Sequence, residues 1–134
     1  MIMKTKPFKI LVADDDPMMR FIISTILRRQ GHAVEVAENG KEAIKLFTLR
    51  PDYFNVLITD HDMPLVSGLE LVRHLRKNGI EVKIVVVSGS LTDELMNAYR
   101  NKHVDRILQK PFLLENLSSA LNGILKPWKE VVHA

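Results

Sequence analysis

Five short apolar runs, each followed by a longer segment of helical periodicity, restrict this chain to very few architectures. The runs occupy residues 8–13, 33–37, 54–59, 82–87 and a shorter, less apolar 105–108. Segments of this length bounded by turn residues read as strands, and the valines of the fourth run fit a strand covered on both faces. Between them, start and stop signals define helices. Asp16-Pro17 is an N-cap followed by proline at the first helical position, with Phe21, Ile22, Ile26 and Leu27 at helical spacing before Gly31. Asn39 caps a helix to about Leu49 that carries Ala43, Ile44, Leu46 and Phe47. Ser67 with Glu70 forms a capping box ahead of Leu71, Val72 and Leu75, and this helix closes near Asn78-Gly79. Thr92 caps a helix through roughly Lys102 with Leu95, Met96 and Tyr99 on its apolar side. From Leu113 a fifth helix places Leu114, Leu117, Leu121, Ile124 and Leu125 at intervals of three and four, then stops before Pro127. Alternating strands and helices predict an α/β fold, a doubly wound five-stranded parallel sheet with right-handed crossovers.

The 134 residues fit one domain with a core at about 8–125 and short extensions at both ends. No apolar stretch approaches the roughly 20 residues that span a bilayer. The basic N-terminus lacks the long apolar segment and small-residue cleavage site of a secretory signal. A cytoplasmic location without membrane contact is therefore expected. The chain has no cysteine, which excludes disulfides, thiolate catalysis and cysteine-based zinc sites and fits a reducing compartment. The net charge of +3 is dispersed, with small basic groups only at Arg28-Arg29 and at 126–129. Such a distribution reads as a solvated surface, so no direct nucleic-acid binding is expected.

In an open parallel sheet, ligands bind outside the carboxyl ends of the strands. Four of the five runs deliver a chemically capable residue there: Asp14-Asp15-Asp16, Asp60, Ser88 and Lys110. Adjacent carboxylates repel unless a cation neutralises them, and magnesium, which takes oxygen ligands and keeps several waters, is the natural candidate. A polar turn in which Asp16 caps the helix is the competing reading. Asp60 is either a turn former or a nucleophile toward phosphorus. Lys110 can pair with Asp60 and neutralise an incoming phosphoryl group, and Ser88 can donate its hydroxyl to a phosphoryl oxygen. Singly these are ordinary surface residues; their joint occurrence carries the argument.

Together, Leu11-Val12-Ala13-Asp14-Asp15-Asp16-Pro17, Asp60-His61-Asp62-Met63-Pro64 with Gly68-Leu69-Glu70, Val87-Ser88-Gly89 and Lys110-Pro111-Phe112 resemble the receiver domain of two-component response regulators, of the single-domain, chemotaxis-regulator-like kind. The resemblance covers about residues 8–125, with the motifs in family order and spacing. It implies a flavodoxin-like sheet in order 2-1-3-4-5. It further implies that Asp60 is the phosphoacceptor, charged from a phosphohistidine on a histidine kinase or phosphotransfer protein. Asp14 and Asp15 would hold Mg2+ with Asp60 and the backbone carbonyl of Asp62. Ser88 matches the switch hydroxyl, Lys110 the family's lysine, and Pro111 a proline typically joined by a cis bond. A downstream protein target would dock on the face formed by helix 4, strand 5 and helix 5, which changes when Ser88 is drawn to the phosphoryl oxygens. The implied role is a signalling switch and not an enzyme, with slow self-dephosphorylation at most.

Departures from the family pattern cluster near this site. The position three before the lysine usually carries Tyr or Phe but here is Ile107, which predicts a muted or differently transmitted switch. Asp62 adds a carboxylate near the path of a hydrolytic water and is expected to alter aspartyl-phosphate lifetime, unless its side chain points to solvent and only its carbonyl matters. His103-Val104 replace a common Gly-Ala pair and are expected to change the turn before the fifth strand. His32, His61, His74, His103 and His133 share no ligand spacing, and His61 reads as a rim residue. Asp60-His61-Asp62 also permits a haloacid-dehalogenase-like phosphohydrolase, but there the Asp-x-Asp pair follows the first strand. A magnesium-independent binding module is disfavoured by the intact Asp, Ser and Lys set. Little chain follows the last helix, so the expectation is either a stand-alone regulator or a receiver cut from a longer chain, with a stand-alone regulator or phosphorelay receiver favoured. With Glu115 as its lone charge, the fifth helix disfavours a dimer built on charged pairs.

Overall fold

The central strands of this protein are covered on both faces, which is why their sequences run apolar instead of alternating. The computed structural model describes residues 7–125; the basic group at 126–129 and His133 lie outside them. Strands β1 (Lys9–Ala13), β2 (Ala33–Ala37), β3 (Val56–Asp60), β4 (Lys83–Ser88) and β5 (Arg106–Gln109) alternate with helices α1 (Pro17–Arg29), α2 (Gly40–Leu49), α3 (Gly68–Lys77), α4 (Asp93–Arg100) and α5 (Leu114–Leu125). They form one parallel sheet in order β2-β1-β3-β4-β5. The expected sheet order is the observed one.

Alternation along each strand divides the core in two. Ile10 and Val12 of β1 join Val56 and Ile58 of β3 beneath α1 and α5, where Ile23, Leu27, Leu117 and Leu121 close over them. Leu11, Leu57, Ile84 and Val86 face the other way, against Phe47 of α2, Leu71 and Leu75 of α3 and Tyr99 of α4. Each fully buried Leu or Ile contributes about 1.5–3 kcal/mol. The edge strands β2 and β5 are only partly covered, which accounts for the weaker apolar signal of the fifth run.

Caps fall where the sequence places them. Asp16 accepts from the Met18 amide, Asn39 from Glu42, Thr92 from Leu95, and Ser67 with Glu70 forms the reciprocal box. Three expectations need correction. Phe21 and Ile22 do not face the sheet, being 67% and 38% exposed; Ile23 and Leu27, one turn apart, take that side instead. The third strand begins at Val56, not Phe54, because Asn55 turns to exchange hydrogen bonds with Lys9 through both its amide and its side chain. The fourth helix ends at Arg100, and the chain then turns through His103, which takes the left-handed region at φ 58. This is the backbone region that favours glycine, here adopted by a histidine.

Candidate functional site

At the carboxyl end of the sheet, three strands and the turns after them bring polar side chains together. Asp14 follows β1 directly and is fully buried. Its carboxylate accepts from the Asp16 amide at 2.9 Å, and its carbonyl accepts from the Arg20 guanidinium of α1 at 2.7 Å. Asp15 is exposed beside it. Asp60, the last residue of β3, is 5% exposed. Lys110 is held by its amide, which donates to the Ser88 carbonyl at 2.8 Å. From there its Nζ lies 3.4 Å from Asp60 Oδ1 and 3.5 Å from Asp14 Oδ2. The Lys110-Pro111 bond is cis, as the resemblance implies.

Burial sets the electrostatics. Desolvation pushes the Asp14 carboxyl above its ordinary value, against the opposing pull of the Asp16 amide and Lys110. It raises Asp60 as well, helped by the negative charge of Asp14 and countered by Lys110. Burial alone would lower the Lys110 ammonium, but Asp14 and Asp60 outweigh it and hold it above its usual range. Two carboxylates thus share one ammonium in a place where water solvates them poorly. Carboxylate oxygens of Asp14, Asp15 and Asp60 lie within 4.8 Å of one another. An all-oxygen donor set of this charge, two of its members desolvated, fits a hard divalent cation that retains waters.

The remaining predicted residues distribute around this centre. Ser88 ends β4, fully buried, and its hydroxyl accepts from the Ser90 amide at 3.2 Å. Asp62 does not stand free: its carboxylate accepts from the Ser90 hydroxyl at 3.0 Å, joining the loops after β3 and β4. Ile107 is half-buried and packs against the core cluster that contains Tyr99. His61 lies beside the acceptor position and is tied to α4 as well. Its half-buried ring meets Tyr99 of α4 edge-on, centroids 5.6 Å apart, with Nδ1 at 2.5 Å from the phenol oxygen. Burial, reinforced by Asp60 and Asp62, pushes the Tyr99 phenol far up, so it keeps its proton while hydrogen-bonded to His61. Neither Tyr99 nor Arg20 was recognised from the sequence as part of this neighbourhood. A tyrosine in an apolar helical stripe is the signal for the first, since a buried phenol needs a partner.

Gly68 permits this packing. A Cβ there would lie 2.5 Å from the Asp60 carbonyl oxygen, 2.7 Å from the Tyr99 hydroxyl and 2.9 Å from the His61 Cα. Because two of these atoms are backbone, the clash cannot be relieved by a rotamer change. Gly68→Ala is expected to cost about 1–3 kcal/mol, read as a lower urea midpoint at constant slope.

A family model described as the response regulator receiver domain matches residues 10–122. The chain is similar to the response regulator MprA of Mycolicibacterium vanbaalenii, 35% identical over 121 residues that cover 90% of this chain and 51% of the relative. It is also similar to the peroxide stress-activated histidine kinase mak3 of Schizosaccharomyces pombe, 33% identical over 121 residues, 84% of this chain and 5% of that kinase. It thus spans about half the length of the first relative and a small part of the second. Among solved structures, a receiver domain protein from Clostridium thermocellum superposes with a TM-score of 0.79 at 28% identity, covering 88% of this chain and 94% of that one. The chemotaxis response regulator CheY4 of Vibrio cholerae does so with the same TM-score and identity, covering 87% and 98%.

Proposed function

This chain belongs to the response regulator receiver-domain family, and from that premise we propose that Asp60 accepts a phosphoryl group from a phosphohistidine on a histidine kinase or phosphotransfer protein. The observation that carries the proposal is the placement of Lys110 Nζ between the buried carboxylates of Asp14 and Asp60. An Asp60 oxygen forms the new bond to phosphorus as the bond to the donor imidazole nitrogen breaks, and the imidazole leaves with that electron pair. Lys110, already between the two carboxylates, offsets the added negative charge. Asp14, Asp15 and Asp60, with the Asp62 carbonyl, would hold Mg2+, which when bound neutralises charge on the phosphoryl oxygens. Ser88 would donate its hydroxyl to one of those oxygens and so exchange its present contact with Ser90 for a new one.

The product is a signal, not a released compound. Phosphorylation replaces the carboxylate of Asp60 by an acyl phosphate that itself carries about −1.5 to −2 charges on three acceptor oxygens, and the response is a changed affinity of the face formed by α4, β5 and α5 for a downstream protein. Aspartyl phosphate then decays by slow self-dephosphorylation. Asp62, tied to Ser90 across the mouth of the site, is placed to affect that decay through loop order as well as charge. The same tie speaks against a phosphohydrolase in which Asp62 moves protons. Among the described residues no helix is long and apolar enough to cross a membrane. A chain without cysteine suits a reducing compartment, and we place the exchange in the cytoplasm.

Incubation with acetyl phosphate and magnesium, followed by intact mass, tests the assignment. The wild-type chain is expected to gain one phosphoryl group and Asp60→Asn none. An adduct of equal yield in the variant would move the acceptor elsewhere.

A further inference from the structure

We propose that Tyr99 is a positioning residue that couples α4 to the acceptor loop through the ring of His61, and so transmits the state of Asp60 to that helix. The inference rests on Asp60 being the acceptor.

Several observations converge on this pair. Of the residues in α4, Tyr99 is the one that is buried, and it is fully so. Leu95 packs against the same core cluster but is only partly buried, so Tyr99 is the deepest contact that sets the register of the helix. That side chain does not end in the core: its hydroxyl reaches His61, the residue after Asp60. The His61 main chain is in turn fixed on several sides. Its amide donates to the Val87 carbonyl at 3.1 Å, and its carbonyl accepts from Met63 at 3.1 Å and Gly68 at 2.9 Å. Loop and helix thus meet at a phenol-imidazole contact with the two rings edge-on. The position expected to carry a mobile aromatic holds Ile107, which packs in the same cluster as Tyr99 but has no polar tip. The polar aromatic tip on this side of the site comes from α4 instead of β5.

A change at Asp60 displaces its neighbour His61 or alters the charge that the Tyr99 phenol faces. Either event changes the hydrogen bond that locates the lone buried anchor of α4. A helix with one fully buried residue can shift as a body when that residue's contact changes.

The test uses the full chain, labelled with 15N, in wild-type, Tyr99→Phe and His61→Leu forms. The first variant keeps the ring and its burial and removes only the hydroxyl; the second removes the imidazole partner from the other side. Each is titrated with beryllium fluoride and magnesium as a phosphoryl mimic, and adduct formation with acetyl phosphate is followed by intact mass. The wild-type amides of residues 93–100 are expected to shift on adding the mimic. In both variants those shifts fall to about half or less, while the adduct still forms and the amides around Asp60 still respond. Unchanged α4 shifts in folded Tyr99→Phe, or in His61→Leu should the first variant not fold, would overturn the inference. So would a wild-type α4 that ignores the mimic although the adduct forms. Absence of any wild-type adduct would instead remove the Asp60 assignment, and this inference with it.

Discussion

Lys110→Met is expected to lower the rate of phosphoryl acceptance at Asp60 by about 10²–10³-fold, the usual effect of deleting one preorganised electrostatic group from a water-poor site. The reason lies in geometry already present before any phosphoryl group arrives. The ammonium is 3.4 Å from Asp60 and 3.5 Å from Asp14, and both carboxylates raise its affinity for the proton, so it is cationic at every working pH. No reorganisation is needed when charge builds at Asp60. Methionine keeps most of the stem's volume while removing the charge, which separates electrostatics from packing. Lys110→Arg is expected to recover only part of the rate, because a planar guanidinium cannot occupy the point between two carboxylates as an ammonium does. Single-turnover phosphorylation by acetyl phosphate at fixed magnesium measures both. A rate within a few-fold of wild type for Lys110→Met would remove Lys110 from the mechanism.

Thermal stability should depend on acid and cation in a direction opposite to that of a protein held by buried ion pairs. Asp14 and Asp60 both titrate above the ordinary carboxyl value of 3.8 in the folded chain, chiefly because burial disfavours their charged forms. The unfolded chain releases those protons first. The folded state therefore binds more protons, and this contribution to stability is complete below the unfolded value and lost as pH rises through the raised folded values. In chelator at neutral pH, Asp60→Asn is accordingly expected to be more stable than wild type, with a higher Tm. Below about pH 4 the difference should vanish, since both carboxyls are then protonated in wild type. Magnesium should reverse the ranking: at 100 times its Kd a bound cation adds about 2.7 kcal/mol to the wild type. Calorimetry across pH with chelator or magnesium reads all three effects. A lower Tm for Asp60→Asn in chelator would show that the Asp60 charge is stabilising where it stands.

The sheet order, the helix caps and the convergence of Asp14, Asp60, Ser88 and Lys110 were legible because each follows from local signals plus one topological rule. An apolar run that ends in a carboxylate says where the carboxylate will stand once the strands are parallel. Rotational phase was harder to read. Ile22 and Ile23 both satisfy helical spacing with Ile26 and Leu27, and only the position of the sheet decides that Ile23 turns inward and Phe21 outward. Contacts between elements distant in sequence left still less trace. His61 and Tyr99 are 38 residues apart, and nothing local in either segment announces the other. The same holds for Asp62 and Ser90, whose pairing depends on two loops leaving adjacent strands side by side. Strand and helix signals are read from neighbours in sequence, whereas pairings between loops are consequences of the assembled fold.

The separation of Asp14 and Lys110 by 96 residues bears on how the molecule is made. Closing so long a loop costs entropy that is recovered only when β5 docks beside β4, so the ion pair cannot form ahead of most of the sheet. Until then Asp14 and Asp60 have no ammonium between them. A chain emerging from synthesis would bring β1 and β3 together while these carboxylates can still turn toward water, and would enclose them only when its last strand arrives with the neutralising charge. Assembly in that order lets the costly burial of two like charges coincide with its compensation.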